Sequence, residues 1–148
     1  MLMGLLFEMA RRESRLRRSK IFLRMRAGHG IYHHWQKEKY TLIFQNSTWA
    51  FTVWDVDRMV AMVRVISDKI MAANIMDLVV LSEYKGRGIG RRLVELCVQK
   101  LPHGDWFAHT SAANFSFYEK CGFEVKDLNE NGTCAYYGYI KAREEGHR

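Results

Sequence analysis

The order of apolar segments predicts an α/β fold, with a mixed, mostly antiparallel central sheet of about seven strands and helices on both faces. Apolar residues alternate with a period of two in segments that read as hairpins, one before and one after the middle of the chain. Between them, one fully apolar segment runs directly into a glycine-rich turn that opens a helix. Helices that alternate with strands in this way imply a sheet covered by helices.

The N-terminal third is expected to hold one strand and two helices. Residues 2–9 are apolar enough for a strand, and residues 13–27 place an apolar stripe among arginines at helical spacing. Gly28 and Gly30 end this helix, because glycine is a strong helix stop. Residues 35–46 suit a second helix.

The middle of the chain has the pattern of strands. Residues 48–54 and 59–67 are rich in Val, Trp, Phe and Met, and residues 55–57 join them as a tight turn. These two strands are therefore expected to form an antiparallel hairpin. Residues 73–81 are a continuous apolar run, which is typical of a central strand buried on both faces.

The last third returns to alternating helices and strands. A helix follows Gly90 and ends before Pro102, because the residue before a proline is pushed out of the α region. Gly122 is expected to cap a later helix. The remaining elements are a strand at 106–110, a helix at 112–121 and closing strands at 123–128 and 133–140.

The positive charge of the chain is confined to one segment. The net charge is +7, from 23 basic and 16 acidic residues. Residues 11–26 hold eight of the basic residues and one of the acidic ones, which leaves 15 of each in the rest of the chain. The net positive charge therefore does not by itself indicate a nucleic-acid-binding protein, because the chain outside residues 11–26 has no net charge.

The length of the chain and its cysteines indicate how many domains it has and in which cellular compartment it is expected. The 148 residues suit a single domain, 1–148, in which residues 1–12 and 143–148 are assigned with least support. Three cysteines at irregular spacings do not form a disulfide framework, so reduced thiols in a cytoplasmic protein are expected. No apolar stretch approaches the ~18 residues that would span a membrane.

Residues 79–92 carry the clearest chemical signal. Glycines between a buried strand and a helix let backbone N–H groups approach a ligand, and the helix N-terminus adds partial positive charge. Four cations surround this point: Lys85, Arg87, Arg91 and Arg92. The segment thus indicates a diphosphate cradle, although its GxGxG spacing is neither a Walker loop nor a dinucleotide fingerprint. The alternative is a glycine-rich corner with a solvated basic face.

Two motifs resemble those of one superfamily. Lys85–Gly90 is similar to the [RQ]xxGx[GA] acyl-CoA signature of the GCN5-related N-acetyltransferase (GNAT) superfamily, with Lys where Arg or Gln is usual. Phe117-Tyr118-Glu119-Lys120-Cys121-Gly122-Phe123 resembles its second signature, FYEKxGF on a helix. The resemblance is strong over residues 46–142 and moderate over 13–45.

The resemblance implies a role for each matching residue. The apolar strand would splay from its neighbour and pair with the pantetheine arm of acetyl-CoA, and the glycine turn would hold the diphosphate. Tyr118 would act near the sulfur as general acid. Superfamily members often carry Asn seven residues earlier, where this chain has Ser111, with Asn114 three residues further on. The implied co-substrate contacts are Leu78, Val79, Val80, Lys85, Gly86, Arg87, Gly88, Ile89, Gly90, Arg91, Ser111 and Asn114.

Acetyl transfer also needs a neutral amine. Asp77, Glu83 and His109 lie on or next to the strands that should flank the site, and each is a candidate general base. Histidine is the side-chain type whose protonation changes near neutral pH. A water chain, or capture of an amine that is already neutral, would serve instead. A thiolate has an ordinary pKa near ~8.5 and tyrosine near ~10, so Tyr118 is expected to stabilise the leaving thiolate by hydrogen bonding more than by proton transfer.

A cluster of histidines precedes residue 36 and includes His29, His33 and His34. It lacks the HExxH pattern and a fixed carboxylate, so no metal is expected. By the resemblance, Tyr32 and Trp35 would contact the acceptor, and the alternative is helix–helix packing.

The sequence and the resemblance therefore predict a cytoplasmic, acetyl-CoA-dependent N-acetyltransferase that acts by direct transfer on a primary amine. A small molecule is the favoured acceptor, and small amines, aminoglycoside-like compounds, polyamines and protein N-termini all stay open. Nucleic acid and membrane are not expected partners, and a homodimer is compatible with the sequence. One alternative is a non-catalytic acyl-CoA sensor. Another is binding of nucleic acid or an acidic partner through residues 11–26, which also suit a solvated helix face or a guide for the anionic co-substrate.

Overall fold

A computed structural model describes residues 2–10, 42–126 and 130–147. The predicted helix 13–27, the basic segment 11–26, the histidine cluster and most of the helix 35–46 lie outside these residues. The described elements, in chain order, are β1 (Leu5–Met9), α1 (Leu42–Asn46), β2 (Trp49–Asp55), β3 (Arg58–Ser67), β4 (Ala72–Val80), a 3₁₀ turn (Ser82–Tyr84), α2 (Ile89–Val98), β5 (Asp105–Ser111), a second 3₁₀ turn (Ala112–Asn114), α3 (Phe115–Lys120), β6 (Glu124–Val125), β7 (Asn131–Tyr137) and α4 (Gly138–Glu144).

The seven strands form one mixed sheet in the order β1-β2-β3-β4-β5-β7-β6. Strands β4 and β5 are parallel, and the pairs β1/β2, β5/β7 and β6/β7 are antiparallel. A parallel pair needs a long crossover connection, and helix α2 lies within that connection. The predicted fold class, a seven-stranded mixed sheet with helices, is confirmed.

The described residues cluster into two compact units, of which the first holds residues up to Arg64 and Asp77–Leu93. Its strands β2 and β3 are buried almost throughout, so their branched and aromatic side chains form most of the core there. Two residues join these strands, and the first of them, Val56, has φ = 53°. A β-branched residue is strongly disfavoured in this left-handed region, so the turn is strained.

The second unit holds Val65–Met76 and Val94–Arg148. Its longest ladder pairs β5 with β7 over seven residues, from Asp105↔Tyr137 to Ser111↔Asn131. Trp106 is wholly buried in this ladder, and its indole N–H donates to the Leu101 carbonyl (Nε1 to O, 2.9 Å). The tip between β3 and β4 is held by the Asp68 carboxylate, which accepts from three backbone N–H groups of residues 70–72.

Helix α4 differs from the prediction, which continued the last strand to Ile140. Strand β7 ends at Tyr137, and Gly138 starts a helix. A Cβ at Gly138 would lie 2.6 Å from the Gly104 carbonyl oxygen and 2.7 Å from that of Pro102, so only glycine permits this close approach. The aromatic residues at the end of the segment favour strand, whereas the following Lys141–Glu145 favours helix and prevails.

Three smaller differences concern the helix 112–121, strand β4 and strand β6. The predicted helix 112–121 is divided into a 3₁₀ turn and α3. Strand β4 is central, as expected, but its burial alternates along residues 72–77 where burial on both faces was predicted. Strand β6 is described at Glu124–Val125 only.

Candidate functional site

The glycine turn between β4 and α2 has an unusual backbone. Gly86 and Gly88 have φ values of 76° and 83°, in the left-handed region that residues with a Cβ disfavour. An added Cβ at either position would meet no heavy atom within 4 Å. Glycine is therefore required here by the backbone conformation rather than by crowding, and the space beside the turn is open.

The N-terminus of α2 follows this turn directly. Ile89 is buried and anchors the helix, and the Arg92 N–H donates to the Gly88 carbonyl (N to O, 3.0 Å). The preceding N–H groups of the first turn have no acceptor within the helix, so they are suited to an anion. Lys85, Arg87 and Arg91 are exposed around this point. The backbone conformation, the exposed cations and the open space are therefore suited to a diphosphate group.

Glu83 and Arg87 flank the turn, and both have partners in the same unit. Glu83 forms an ion pair with Arg58 (Oε1 to Nη2, 3.1 Å), and Arg87 donates to the Glu83 carbonyl (Nη2 to O, 3.1 Å). The predicted base Glu83 therefore lies beside the glycine turn, on the 3₁₀ turn Ser82–Tyr84.

The parallel pairing of β4 and β5 is short. It covers four residue pairs, from Ala72↔Asp105 to Ile75↔Ala108, and both strands continue beyond it. The residues of β4 past this point include Leu78, Val79 and Val80, each half-buried. The pairing of β4 with β5 therefore ends before Leu78.

Asp77, the second predicted base, is buried and forms an ion pair with Arg64 of β3 through Oδ2 and Nε. The side chain of Asp77 is 3% exposed and that of Arg64 is 21% exposed. One carboxylate oxygen is thus committed to the guanidinium, which favours a structural role for this pair.

Tyr118 lies on α3 and is buried, with its ring centroid 5.1 Å from that of Phe117 and 5.5 Å from that of Phe123. Burial raises the pKa of Tyr118 well above its ordinary value, and the nearby thiols of Cys134, Cys121 and Cys97 raise it further. Within the described residues no hydrogen bond involves its hydroxyl, and no fully buried side-chain oxygen or nitrogen lacks a partner. The ring is therefore fixed while the neutral hydroxyl reaches the surface of its unit.

His109, the third predicted base, is exposed on β5 and is the first residue past the paired stretch. Its Nδ1 lies 3.2 Å from Oγ1 of Thr133, the residue opposite it on β7. Asn114 donates to Thr110 (Nδ2 to Oγ1, 2.9 Å), and Ser111 is exposed at the end of β5. Thr133 was not among the predicted residues, because only the β5/β7 register shows that it faces His109.

His109 and Tyr118 lie on opposite faces of the β5/β7 ladder. Successive residues of a strand alternate between faces, so His109 and Thr133 share one face, whereas their neighbours Ala108 and Cys134 share the other. The Tyr118 ring packs against Phe123, and Phe123 packs against Tyr136, which shares the face of Cys134, so Tyr118 lies on the second face.

Burial also marks Cys97, on α2, as inert. It is wholly buried, and burial raises the pKa of Cys97 to about 12, so its thiolate is scarce at neutral pH.

Within residues 2–10, 42–126 and 130–147, no group of three His, Cys, Asp or Glu side chains could hold a metal ion. No helix in that part of the chain is long and apolar enough to cross a membrane.

A glycine turn that follows a strand of a mixed sheet and opens a helix is suited to a ligand that carries phosphate groups. The sequence model of the acetyltransferase (GNAT) domain matches residues 46–125, more than half of the chain. The chain belongs to the GNAT acetyltransferase family, as its motifs predicted. It is an acetyl-CoA-dependent acetyltransferase.

Solved structures of low sequence identity share the fold of this chain. An aminoglycoside 6'-N-acetyltransferase complexed with coenzyme A superposes with a TM-score of 0.74 at 16% identity, covering 90% of this chain and 97% of that chain. A probable acetyltransferase from Staphylococcus aureus gives 0.69 at 21% identity, over 84% and 93% of the two chains. Arabidopsis thaliana Naa50, in complex with a bisubstrate analogue, gives 0.61 at 19% identity, over 90% and 98%. No curated protein matches the chain in sequence.

Proposed function

We propose that the protein transfers the acetyl group of acetyl-CoA directly to the primary amine of a small molecule. The observation that carries this proposal is the arrangement of β5, where the β4/β5 pairing stops at Ala108 and His109 follows at once. A histidine at this position can accept the proton of an amine, while a hydroxyl on the other face of the ladder can serve the leaving sulfur.

Each group then has one role. Acetyl-CoA supplies an activated thioester, held through its diphosphate by the backbone of Gly86–Arg91. His109 takes the proton that the ammonium group must lose, with Thr133 orienting the ring through Nδ1. As the new C–N bond forms and the C–S bond breaks, the nitrogen loses its second proton, which passes through solvent to the departing sulfur, and the Tyr118 hydroxyl donates a hydrogen bond to that sulfur. The raised pKa of Tyr118 keeps this hydroxyl protonated, which favours hydrogen bonding over full proton transfer.

One structural neighbour supports the proposed acceptor class. The neighbour with the TM-score of 0.74 is named for an aminoglycoside, which supports a small-molecule amine. Naa50 carries a bisubstrate analogue with the peptide-like label MVNAL, so a protein N-terminus is the competing acceptor. The free cysteines Cys97, Cys121 and Cys134 support the proposed cytoplasmic location, and a homodimer stays a prediction.

The proposal is tested by acetyl-CoA binding followed by an acceptor panel. Calorimetry is expected to show saturable binding of acetyl-CoA, and chromatography is expected to show CoA release with small amines such as polyamines or aminoglycosides. Turnover with peptides alone would overturn the small-molecule acceptor. Binding without turnover would favour the sensor, and no binding at millimolar acetyl-CoA would defeat the whole proposal. Nucleic-acid binding with a steep salt dependence would favour the alternative in which residues 11–26 bind nucleic acid.

Replacing His109 by glutamine is expected to lower kcat/KM about tenfold at neutral pH, because general base catalysis is lost while amines that arrive neutral still react. The loss should shrink at high pH, where the acceptor amine deprotonates without help. Thr133→Val should show a smaller loss with the same pH dependence, and Thr133→Ser should restore the parent rate. An equal rate for His109→Gln and the parent at every pH would assign the base elsewhere.

A further inference from the structure

The two-residue turn between β2 and β3 contacts the chain just ahead of the glycine turn. We name the residues that make these contacts the hairpin clamp: Asp55, Arg58, Glu83, Tyr84 and Arg87. Asp55 and Arg58 flank the turn on either side, and the other three lie between β4 and Gly88. All five belong to the first unit.

Two polar contacts join the turn to the 3₁₀ segment Ser82–Tyr84. The Tyr84 hydroxyl donates to Asp55 (Oη to Oδ2, 2.5 Å), and Arg58 pairs with Glu83 (Nη2 to Oε1, 3.1 Å). The bond to Asp55 raises the pKa of Tyr84, so the phenol remains a donor at working pH. Each of the two residues that flank the turn, Asp55 and Arg58, therefore has its own partner on the 3₁₀ segment.

The Tyr84 ring extends this contact to the glycine turn itself. The Arg87 guanidinium lies 4.9 Å from the ring centroid and also donates to the Glu83 carbonyl. The Arg58 guanidinium lies 5.9 Å from the same ring. Cations over an aromatic face are attracted to it, so Arg87, which stands between Gly86 and Gly88, is tied back to Tyr84.

A turn with two glycines needs such support. Glycine loses more conformational freedom on ordering than any other residue, and this loss weakens binding if it occurs when the ligand binds. Contacts that order the turn beforehand remove that cost. The strain at Val56, between the two clamp residues of the hairpin, is consistent with a turn held by its contacts.

We propose that Tyr84 and Asp55 are positioning residues that set the affinity for acetyl-CoA by holding the glycine turn in its binding conformation. Neither residue touches the reacting atoms in this account; both act through Arg87 and the backbone of Gly86–Gly88. The inference rests on the proposed function, because it assumes that this turn holds the co-substrate. It predicts a change in co-substrate affinity without a change in the chemical step.

Tyr84→Phe removes the hydroxyl but keeps the ring beneath Arg87. The calorimetric Kd for acetyl-CoA and the KM for acetyl-CoA are expected to rise about fivefold, the size of one net hydrogen bond, with kcat at saturation unchanged. Tyr139→Phe, the same chemical change on helix α4, is the matched control and should leave both constants within error. Equal Kd values for Tyr84→Phe and the parent would overturn the inference, as would a fall in kcat at unchanged KM.

A double-mutant cycle separates positioning from simple loss of stability. Asp55→Ala should match Tyr84→Phe in Kd, the double variant should be no worse than either, and Asp55→Asn, which still accepts a hydrogen bond, should restore most of the affinity. Additive effects of the two changes, or a lower melting temperature with an unchanged Kd, would overturn the role. If the parent itself does not bind acetyl-CoA, the proposed function fails and the clamp with it, whereas parent binding with unaffected variants defeats the clamp alone.

Discussion

Tyr118→Phe is expected to lower kcat about 10²-fold, the loss seen when one donor to a developing negative charge is removed. The Kd for acetyl-CoA should stay within twofold of the parent, because the hydroxyl is proposed to act on the departing sulfur. The melting temperature should also be unchanged, since within the described residues the hydroxyl makes no hydrogen bond that the variant would lose. Pre-steady-state and steady-state rates of CoA release measure the first effect.

The shape of the pH profile gives a second measurement on the same variant. Because burial raises the pKa of Tyr118 above its ordinary value of 10, the parent hydroxyl stays protonated throughout the range from pH 6 to pH 10. Any decline in kcat within that range therefore has another origin, and the parent and Tyr118→Phe should share the same profile at different heights.

Tyr136→Phe is the matched control for Tyr118. Its ring packs against Phe123 with centroids 6.0 Å apart, as the Tyr118 ring does at 5.5 Å, so both changes remove a hydroxyl from the same aromatic cluster. Tyr136→Phe should keep kcat within twofold. A comparable loss in the two variants would mean that the cluster, and not the Tyr118 hydroxyl, is responsible.

Asp77→Ala is expected to lower the free energy of unfolding by about 3 kcal/mol, because it leaves Arg64 charged and without its carboxylate partner. The value lies at the lower end of the range for buried pairs, since Arg64 is partly exposed and water can solvate it. Urea denaturation measures the loss. A change below about 1 kcal/mol, the size of a surface pair, would contradict this account.

Arg64→Gln separates structure from catalysis at this position. It breaks the same ion pair from the other side, so it should also destabilise the protein, because the buried Asp77 carboxylate loses its guanidinium partner. If the pair is structural, Asp77→Asn and Arg64→Gln have similar kcat values under conditions where both are folded. If Asp77 is the general base, Asp77→Asn alone loses activity.

Local rules explain which parts of the site could be predicted. The glycine turn could be recognised because the backbone conformation at Gly86 and Gly88 demands glycine within a short stretch of sequence. The FYEK segment could be placed on a helix because Gly122, whose φ of 90° suits a residue that ends a helix, follows it closely. These are features in which residues close in sequence determine each other's conformation, so a single sequence is sufficient to predict them.

The side-chain pairs around the site depend on long-range packing, so they could not be predicted from the sequence. Tyr84 and Asp55 are 29 positions apart, and Arg64 and Asp77 are 13 positions apart on separate strands. Their pairing depends on register, which no local pattern shows. Helix α4 was missed for a related reason: the position of Gly138 is decided by the carbonyl oxygens of Gly104 and Pro102, more than thirty residues earlier.

The short parallel pairing also has a consequence for the kinetics of folding. Strands β2 and β3 are joined by two residues, so their hairpin closes at little entropic cost, whereas Ala72 and its partner Asp105 are 33 residues apart. Only the contacts of four residue pairs offset the entropic cost of closing that loop. We therefore expect the β4/β5 contact to form late in folding and to exchange its amide hydrogens sooner than the β2/β3 hairpin.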